Sequence, residues 1–125
     1  MPKLSKLSQE RLATCHPLIQ KVVNEAIKTF DFSVACGYRG EQEQNEAYAR
    51  GFSQKKFPDS RHNSKPSQAV DLVPYPLDWK NIERFKAMAA AVKAAAAKVG
   101  VPIEWGGDWK KFKDYPHFQL PAGTK

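Results

Sequence analysis

Three histidines occur in the 125 residues, His16, His62 and His117, and two of them stand near carboxylates in stretches that lack helical or core patterning. His62 lies nine positions before Asp71, and Asp114 lies three before His117. Two imidazoles and a carboxylate are a donor set for catalytic zinc, which takes three protein ligands from His, Asp and Glu and leaves a fourth position for water, whose pKa then falls towards ~7. His62, Asp71 and His117 are therefore the candidate zinc ligands. A hydrolase of this type also needs a carboxylate that takes the proton of the water and passes it to the leaving amine. Asp114 is placed for that role. His16 precedes Pro17 at a helix start, has no partner motif, and reads as structural.

The elements that must position these residues can be read from periodicity. Ser8 is a cap candidate for a short first helix. Pro17 suits the first turn of a second, along which Leu18, Ile19, Val22, Val23, Ala26, Ile27 and Phe30 recur at helical spacing as a core stripe. Phe32, Val34 and Cys36 alternate as a strand running into Gly37-Tyr38-Arg39-Gly40. Glu41 to Arg50 reads as a short helix closed by Gly51. From Phe52 to Ser67 the chain is polar and basic, carries Pro58 and Pro66, and reads as a long loop bearing His62. Gln68 to Val73 alternates again, so Asp71 projects from a strand. Asn81 to Val99 is a helix of strong formers stopped by Gly100. Ile103-Glu104-Trp105 and His117-Phe118-Gln119-Leu120 read as two short strands around a Gly-Gly turn. With no βαβ rhythm, the expectation is an α+β fold in which a small antiparallel sheet packs with helices.

The chain is in the size range of one domain, and no repeat or composition break divides it, so residues 1–125 are expected to form a single catalytic domain without a wall-binding module. The alanine-rich run from Ala87 to Ala97, broken by Lys93, falls far short of the roughly 20 residues of a membrane span. Met1-Pro2-Lys3-Leu4-Ser5-Lys6 is charged like a signal peptide but lacks an apolar core behind it, which points to synthesis and initial residence in the cytoplasm. Cys15 and Cys36 form no CxxC pair and read as free, half-buried thiols. The net charge of +7 favours an anionic partner or surface. Its lysines are scattered, apart from Lys55-Lys56 and Lys110, Lys111 and Lys113, and no nucleic-acid motif accompanies them.

The segment Ser60 to Pro74, which contains His62 and Ala69-Val70-Asp71, resembles the SxHxxGxAxD signature of the zinc D-alanyl-D-alanine carboxypeptidase group. Asp114-Tyr115-Pro116-His117-Phe118 resembles that group's closing motif, an acidic residue separated by two positions from the last zinc histidine. The likeness runs from about Cys36 to Leu120. It implies the fold shared with hedgehog domains and, among phage members of the group, an endolysin that cuts the L-alanyl-D-glutamate bond of peptidoglycan stems. Two extra residues lie between His62 and Asp71, and no glycine occupies the usual loop position. A bulge over Asn63 to Ser67, with Pro66, would absorb them.

Gly37-Tyr38-Arg39 before a Glu/Gln-rich helix resembles the arginine-bearing element of the same group. The implied role of Arg39 is to hold a substrate carboxylate or the oxyanion, with Gln44 adding an amide contact; otherwise Arg39 is a surface turn residue. Ser60 either binds substrate or caps its loop. Trp105, Trp109 and Tyr115 either line a cleft or belong to the core, and Asp108 reads as a turn residue. The expected partner is bacterial peptidoglycan, met by a monomer that leaves the host cytoplasm through a separate membrane pore protein. The alternatives are a D-alanyl-D-alanine carboxypeptidase or dipeptidase of the same group, a zinc-binding domain without catalysis, and a basic nucleic-acid-binding protein.

Overall fold

The computed structural model describes residues 3–51, 53, 55–110 and 113–122. Met1, Pro2, Phe52 and Lys111, named above in the terminus, the loop and the basic cluster, lie outside the described residues, as do 123–125 of the expected domain. The helices are α1 (Lys6–Leu12), α2 (Pro17–Ala26), α3 (Glu41–Ala49) and α4 (Ile82–Val99). The strands are β1 (Phe32–Cys36), β2 (Ala69–Pro74), β3 (Glu104–Trp105) and β4 (His117–Gln119). They form one antiparallel sheet in the order β1-β2-β4-β3, as the α+β expectation requires.

The apolar stripes assemble as their spacing dictates. Ile19, Val22, Val23 and Ala26 of α2 and Phe85, Met88, Ala89 and Val92 of α4 are buried together with Val34, Leu72 and Phe118 of the sheet. Pro17 opens α2, where its missing N–H leaves no bond unmade, and His16 caps it: Nδ1 accepts from the Leu18 N–H at 3.0 Å. His16 thus has the structural role expected of it. Asn81 caps α4, and Gly100 closes it in the left-handed conformation (φ 74°) that glycine adopts at least cost.

Two local readings are revised. Ser5, one turn earlier than Ser8, caps α1; its Oγ accepts from the Ser8 N–H at 3.1 Å. Ser8 is instead buried and accepts from the Val34 N–H at 3.0 Å, tying α1 to β1. His62 lies on a single 3-10 turn, Arg61–Asn63, inside the long loop. A three-residue turn has no periodicity to betray it.

The extra residues between that turn and β2 are bolted down by backbone. Ser67 N–H donates to the Thr14 carbonyl, its own carbonyl accepts from the His16 N–H, and its Oγ donates to the Ala69 carbonyl. The segment 63–67, expected to bulge, is therefore tied to the α1–α2 junction at its last residue, Ser67. Gly37 makes the same junction possible, because a Cβ there would collide with the Thr14 hydroxyl and the Arg11 carbonyl. Gly37→Ala should cost ~1–3 kcal/mol of overpacking strain. Chemical denaturation will read this as a lower midpoint with an unchanged slope, and an unchanged midpoint would show that the junction yields freely.

Candidate active site

Asp71 sits at the centre of β2, directly across from His117 on β4 and Cys36 on β1. Between Val34 and Cys36 the β1–β2 register shifts by one residue. Such bulges twist a strand locally, and this one lies beside the position from which Asp71 projects. His62 enters from the 3-10 turn. Its Nε2 lies 3.2 Å from Asp71 Oδ1, and His117 Nδ1 lies 3.3 Å from the same oxygen. The two imidazoles meet edge to face at 5.1 Å, and the three donor atoms all lie within 4.8 Å of one another.

The outer nitrogens fix which lone pairs face inward. His62 Nδ1 is 2.7 Å from the Gly37 carbonyl, which can only accept, so Nδ1 carries the hydrogen and Nε2 faces Asp71. His117 Nε2 is 2.7 Å from Gln119 Oε1. Gln119 is oriented by Glu104, whose carboxylate accepts from Gln119 Nε2 at 3.0 Å, so the amide oxygen must point to His117 and leave Nδ1 free. Both rings are anchored from behind as metal-ligating histidines characteristically are. Three electron-pair donors thus converge, an arrangement that is repulsive unless a proton or a cation lies among them, and the group can hold a metal ion.

The electrostatics agree. Burial disfavours charge on His62, but the adjoining Asp71 carboxylate outweighs it and raises the imidazole to about 10. Burial alone would raise Asp71, yet His62 and His117 together hold its carboxyl far below the usual range. Arg39 Nη2 reaches the other oxygen, Asp71 Oδ2, at 3.4 Å.

Asp71, His62, His117, Arg39, Ser60 and Asp114 line one cleft of about 950 Å³. Asp114 is held there by its backbone: its N–H donates to the Gly106 carbonyl and its carbonyl accepts from the His117 N–H. A Cβ on Gly106 would strike the Asp114 carbonyl, so glycine permits this approach. No hydrogen bond or ion pair occupies the Asp114 carboxylate among the described residues. Burial, and next the negative charge of Asp71, raise its pKa. A carboxylate so placed is suited to proton transfer.

Gln44 does not line the cleft. It is fully buried, and all four of its hydrogen-bonding positions are engaged: Oε1 accepts from Arg39 Nη1 (3.0 Å) and Asn63 Nδ2 (3.2 Å), while Nε2 donates to Ser53 Oγ (2.8 Å) and the Lys55 carbonyl (2.6 Å). Its contact is with Arg39, which it aims. Ser60 caps the 3-10 turn, accepting from the His62 N–H at 3.2 Å, and also faces the cleft. Trp105 is core, its Nε1 donating to the Tyr115 carbonyl at 2.7 Å, whereas Trp109 packs on His117 and lines the cleft with Tyr115. Asp108 pairs with Lys93 at the Gly106–Asp108 turn. Cys15 is buried and Cys36 half-buried, both free; burial pushes the Cys15 thiol up to about 12.

Residues 1–120 match the model of the family described as phage L-alanyl-D-glutamate peptidase. The chain belongs to this family. It is 32% identical to the L-alanyl-D-glutamate peptidase of Escherichia phage T5, over 98% of this chain and 91% of that protein. The peptidoglycan L-alanyl-D-glutamate endopeptidase CwlK of Bacillus subtilis is 28% identical, over 84% of this chain and 72% of its own. In three dimensions the chain resembles the crystal structure of the Serratia marcescens L-Ala D-Glu endopeptidase ChiX, with a TM-score of 0.82, 36% identity, and coverage of 95% and 90% of the two chains.

Sequence reading did not single out Gln119 and Glu104 as the support of His117, nor Trp79 as cleft wall stacked on Phe85. A polar residue two positions beyond a ligand histidine, on the same face of a strand, was the available signal for Gln119. Gln119→Leu should therefore weaken metal binding ~10- to 100-fold, as loss of such outer partners typically does. Chelator competition will measure it, and an affinity equal to that of the parent chain would refute the supporting role.

The metal-free site also carries a pH signature. Because His62 is raised above 6.5, its pairing adds stability that is complete below that pH and lost as the pH rises through about 10. Because Asp71 is lowered from 3.8, its contribution is complete above that value and lost as the pH falls. Metal-free protein should be most stable between about pH 4 and 6.5, with Asp71→Asn flattening the profile in urea titrations. A parent profile as flat as that of the variant would contradict the pairing.

Proposed function

We propose that zinc is the metal of this centre, held by His62, Asp71 and His117, and that residues 1–125 act as one catalytic domain on the L-alanyl-D-glutamate bond of peptidoglycan stems during phage lysis. Family membership makes the chain a peptidoglycan peptidase. The observation that carries the reading is the convergence of three donors on one point, with an unengaged carboxylate in the same cleft. Two neutral imidazoles and one carboxylate suit a borderline-soft cation. When bound, zinc supplies a Lewis acid that lowers the pKa of water and polarises a carbonyl.

The chain's own residues supply the remainder. Asp114 takes the proton of the attacking water and delivers it to the amine of D-glutamate as the C–N bond breaks, so it acts first as base and then as acid. Its raised pKa makes it better able to hold that proton between the two transfers. Arg39, fixed by Gln44 and Asp71, presents the rest of its guanidinium fork to the carbonyl oxygen that becomes negative. Ser60 stands at the cleft beside this group and offers a hydroxyl to the substrate.

The same reading includes a monomer that stays in the host cytoplasm until a separate membrane pore protein gives it access to the wall. No helix among the described residues is long and apolar enough to cross a membrane. Digesting purified sacculi and identifying the new amino terminus by mass spectrometry tests the bond assignment: D-glutamate at the terminus supports it, and release of D-alanine overturns it. Asp114→Asn should lower hydrolysis by at least ~10²-fold while zinc content and melting temperature stay near those of the parent. Asp71→Asn should instead strip zinc and lower thermal stability, since a metal that binds only the native state adds to its stability. Full activity in Asp114→Asn would remove the mechanism.

A further inference from the structure

We infer that Lys113 recognises the free α-carboxylate of the stem's D-glutamate, so that the enzyme selects stems in which this group is ionised over stems in which it is amidated. The inference rests on the assignment of Asp114 as proton shuttle in the proposed function.

Substrate chemistry sets the geometry. The bond cut joins the alanyl carbonyl to the α-amine of D-glutamate, and the stem continues from the γ-carboxyl. The carbon that bears the leaving amine therefore also bears an unblocked carboxylate. Asp114 must reach that amine to protonate it, so the D-glutamate α-carbon lies against the Asp114 side of the cleft. A cation meant for the carboxylate belongs on that side.

The cleft wall carries four cationic side chains, Arg39, Lys55, Arg61 and Lys113. Arg39 is committed to Asp71. The other three have no carboxylate partner among the described residues, an excess of positive charge facing a substrate with free carboxylates. Arg61 is drawn along the loop by Gln68 Oε1 at 2.9 Å, and Lys55 belongs to the segment whose carbonyl is tied to Gln44, on the Arg39 side. Lys113 alone adjoins Asp114 in the chain. Its ammonium is steadied by one neutral acceptor, the Gly107 carbonyl at 3.0 Å, which leaves further N–H donors for an anion. Gly107 belongs to the same turn whose Gly106 carbonyl holds the Asp114 N–H, so one piece of backbone sets the cation and the proton shuttle together. Lys113 is exposed, and its pairing with a carboxylate is accordingly of the partly screened kind, adding a modest factor in selectivity.

The test uses the zinc-loaded full chain and two N-acetylated synthetic tripeptides, L-alanyl-γ-D-glutamyl-L-lysine and the same peptide with the glutamyl α-carboxyl as carboxamide. The parent chain should prefer the free acid by roughly 3- to 30-fold in kcat/KM. Lys113→Gln should bring that ratio close to one, mostly through the free acid, and Lys113→Arg should keep it. Lys98→Gln, which removes an exposed charge at the end of α4 opposite to Ile82 and Phe85, should leave the ratio as it is and so separates local recognition from the pull of the whole basic surface. A ratio in Lys113→Gln equal to that of the parent, with zinc content and melting temperature intact, would overturn the inference while leaving the mechanism standing. Full hydrolysis of both peptides by Asp114→Asn would remove its foundation instead, which keeps the two failures apart.

Discussion

Three electron-pair donors aimed at one point repel each other, and much of the fold around the cleft serves to hold Asp71, His62 and His117 in that arrangement. Asp71 and His117 come together through the β2–β4 register, so sliding either strand by one residue would turn one of them to the opposite face. His62 is anchored by the Gly37 carbonyl at its ring and by the Arg39 N–H at its own carbonyl. The energy of the arrangement is recovered when a positive charge occupies the centre, whether the proton that His62 retains so firmly or a metal ion that displaces it.

Beneath the cleft lies a polar knot rather than apolar packing. Helix α3 has little apolar character, and the one side chain it buries among the described residues is Gln44. That amide joins Arg39, Asn63, Ser53 and the Lys55 carbonyl, tying together the β1–α3 connection, the 3-10 turn and the loop after α3. A buried amide with every donor and acceptor used is stable and directional; one left unmatched costs about 1–3 kcal/mol. The direction of the Arg39 fork depends on this amide. The Gly106–Asp108 turn plays the corresponding part for Asp114 and Lys113.

The two walls of the cleft differ in chemistry. Arg39, Lys55 and Arg61 come from the β1–α3 side and the loop after it, while Trp79 and Tyr115 pack on Phe85 of α4 as an aromatic face. The net charge of +7 thus has a local expression at the site, beyond the general attraction of a basic protein to an anionic wall.

The family was legible in the ordered motifs around His62, Asp71, Asp114 and His117, because their resemblance as a pair is specific. The residue types alone, three histidines with two of them near carboxylates, allowed a metal site without deciding it. The apolar stripes of α2 and α4 likewise define which faces are buried, because helical periodicity is a local property. Other features depend on contacts between residues distant in the chain. Ser5 rather than Ser8 caps α1 because Ser8 is needed by β1, the 3-10 turn under His62 is too short to show a period, and Gln44 proves to be a buried strut only when the loop closes over it. The support of His117 by Gln119 and Glu104 arises from the pairing of β3 with β4, and the separation of Trp105 into the core from Trp109 in the cleft follows from a turn between them. Local sequence specifies which groups are available; which way each one points is settled by strand register and by the polar groups that must find partners once water is excluded.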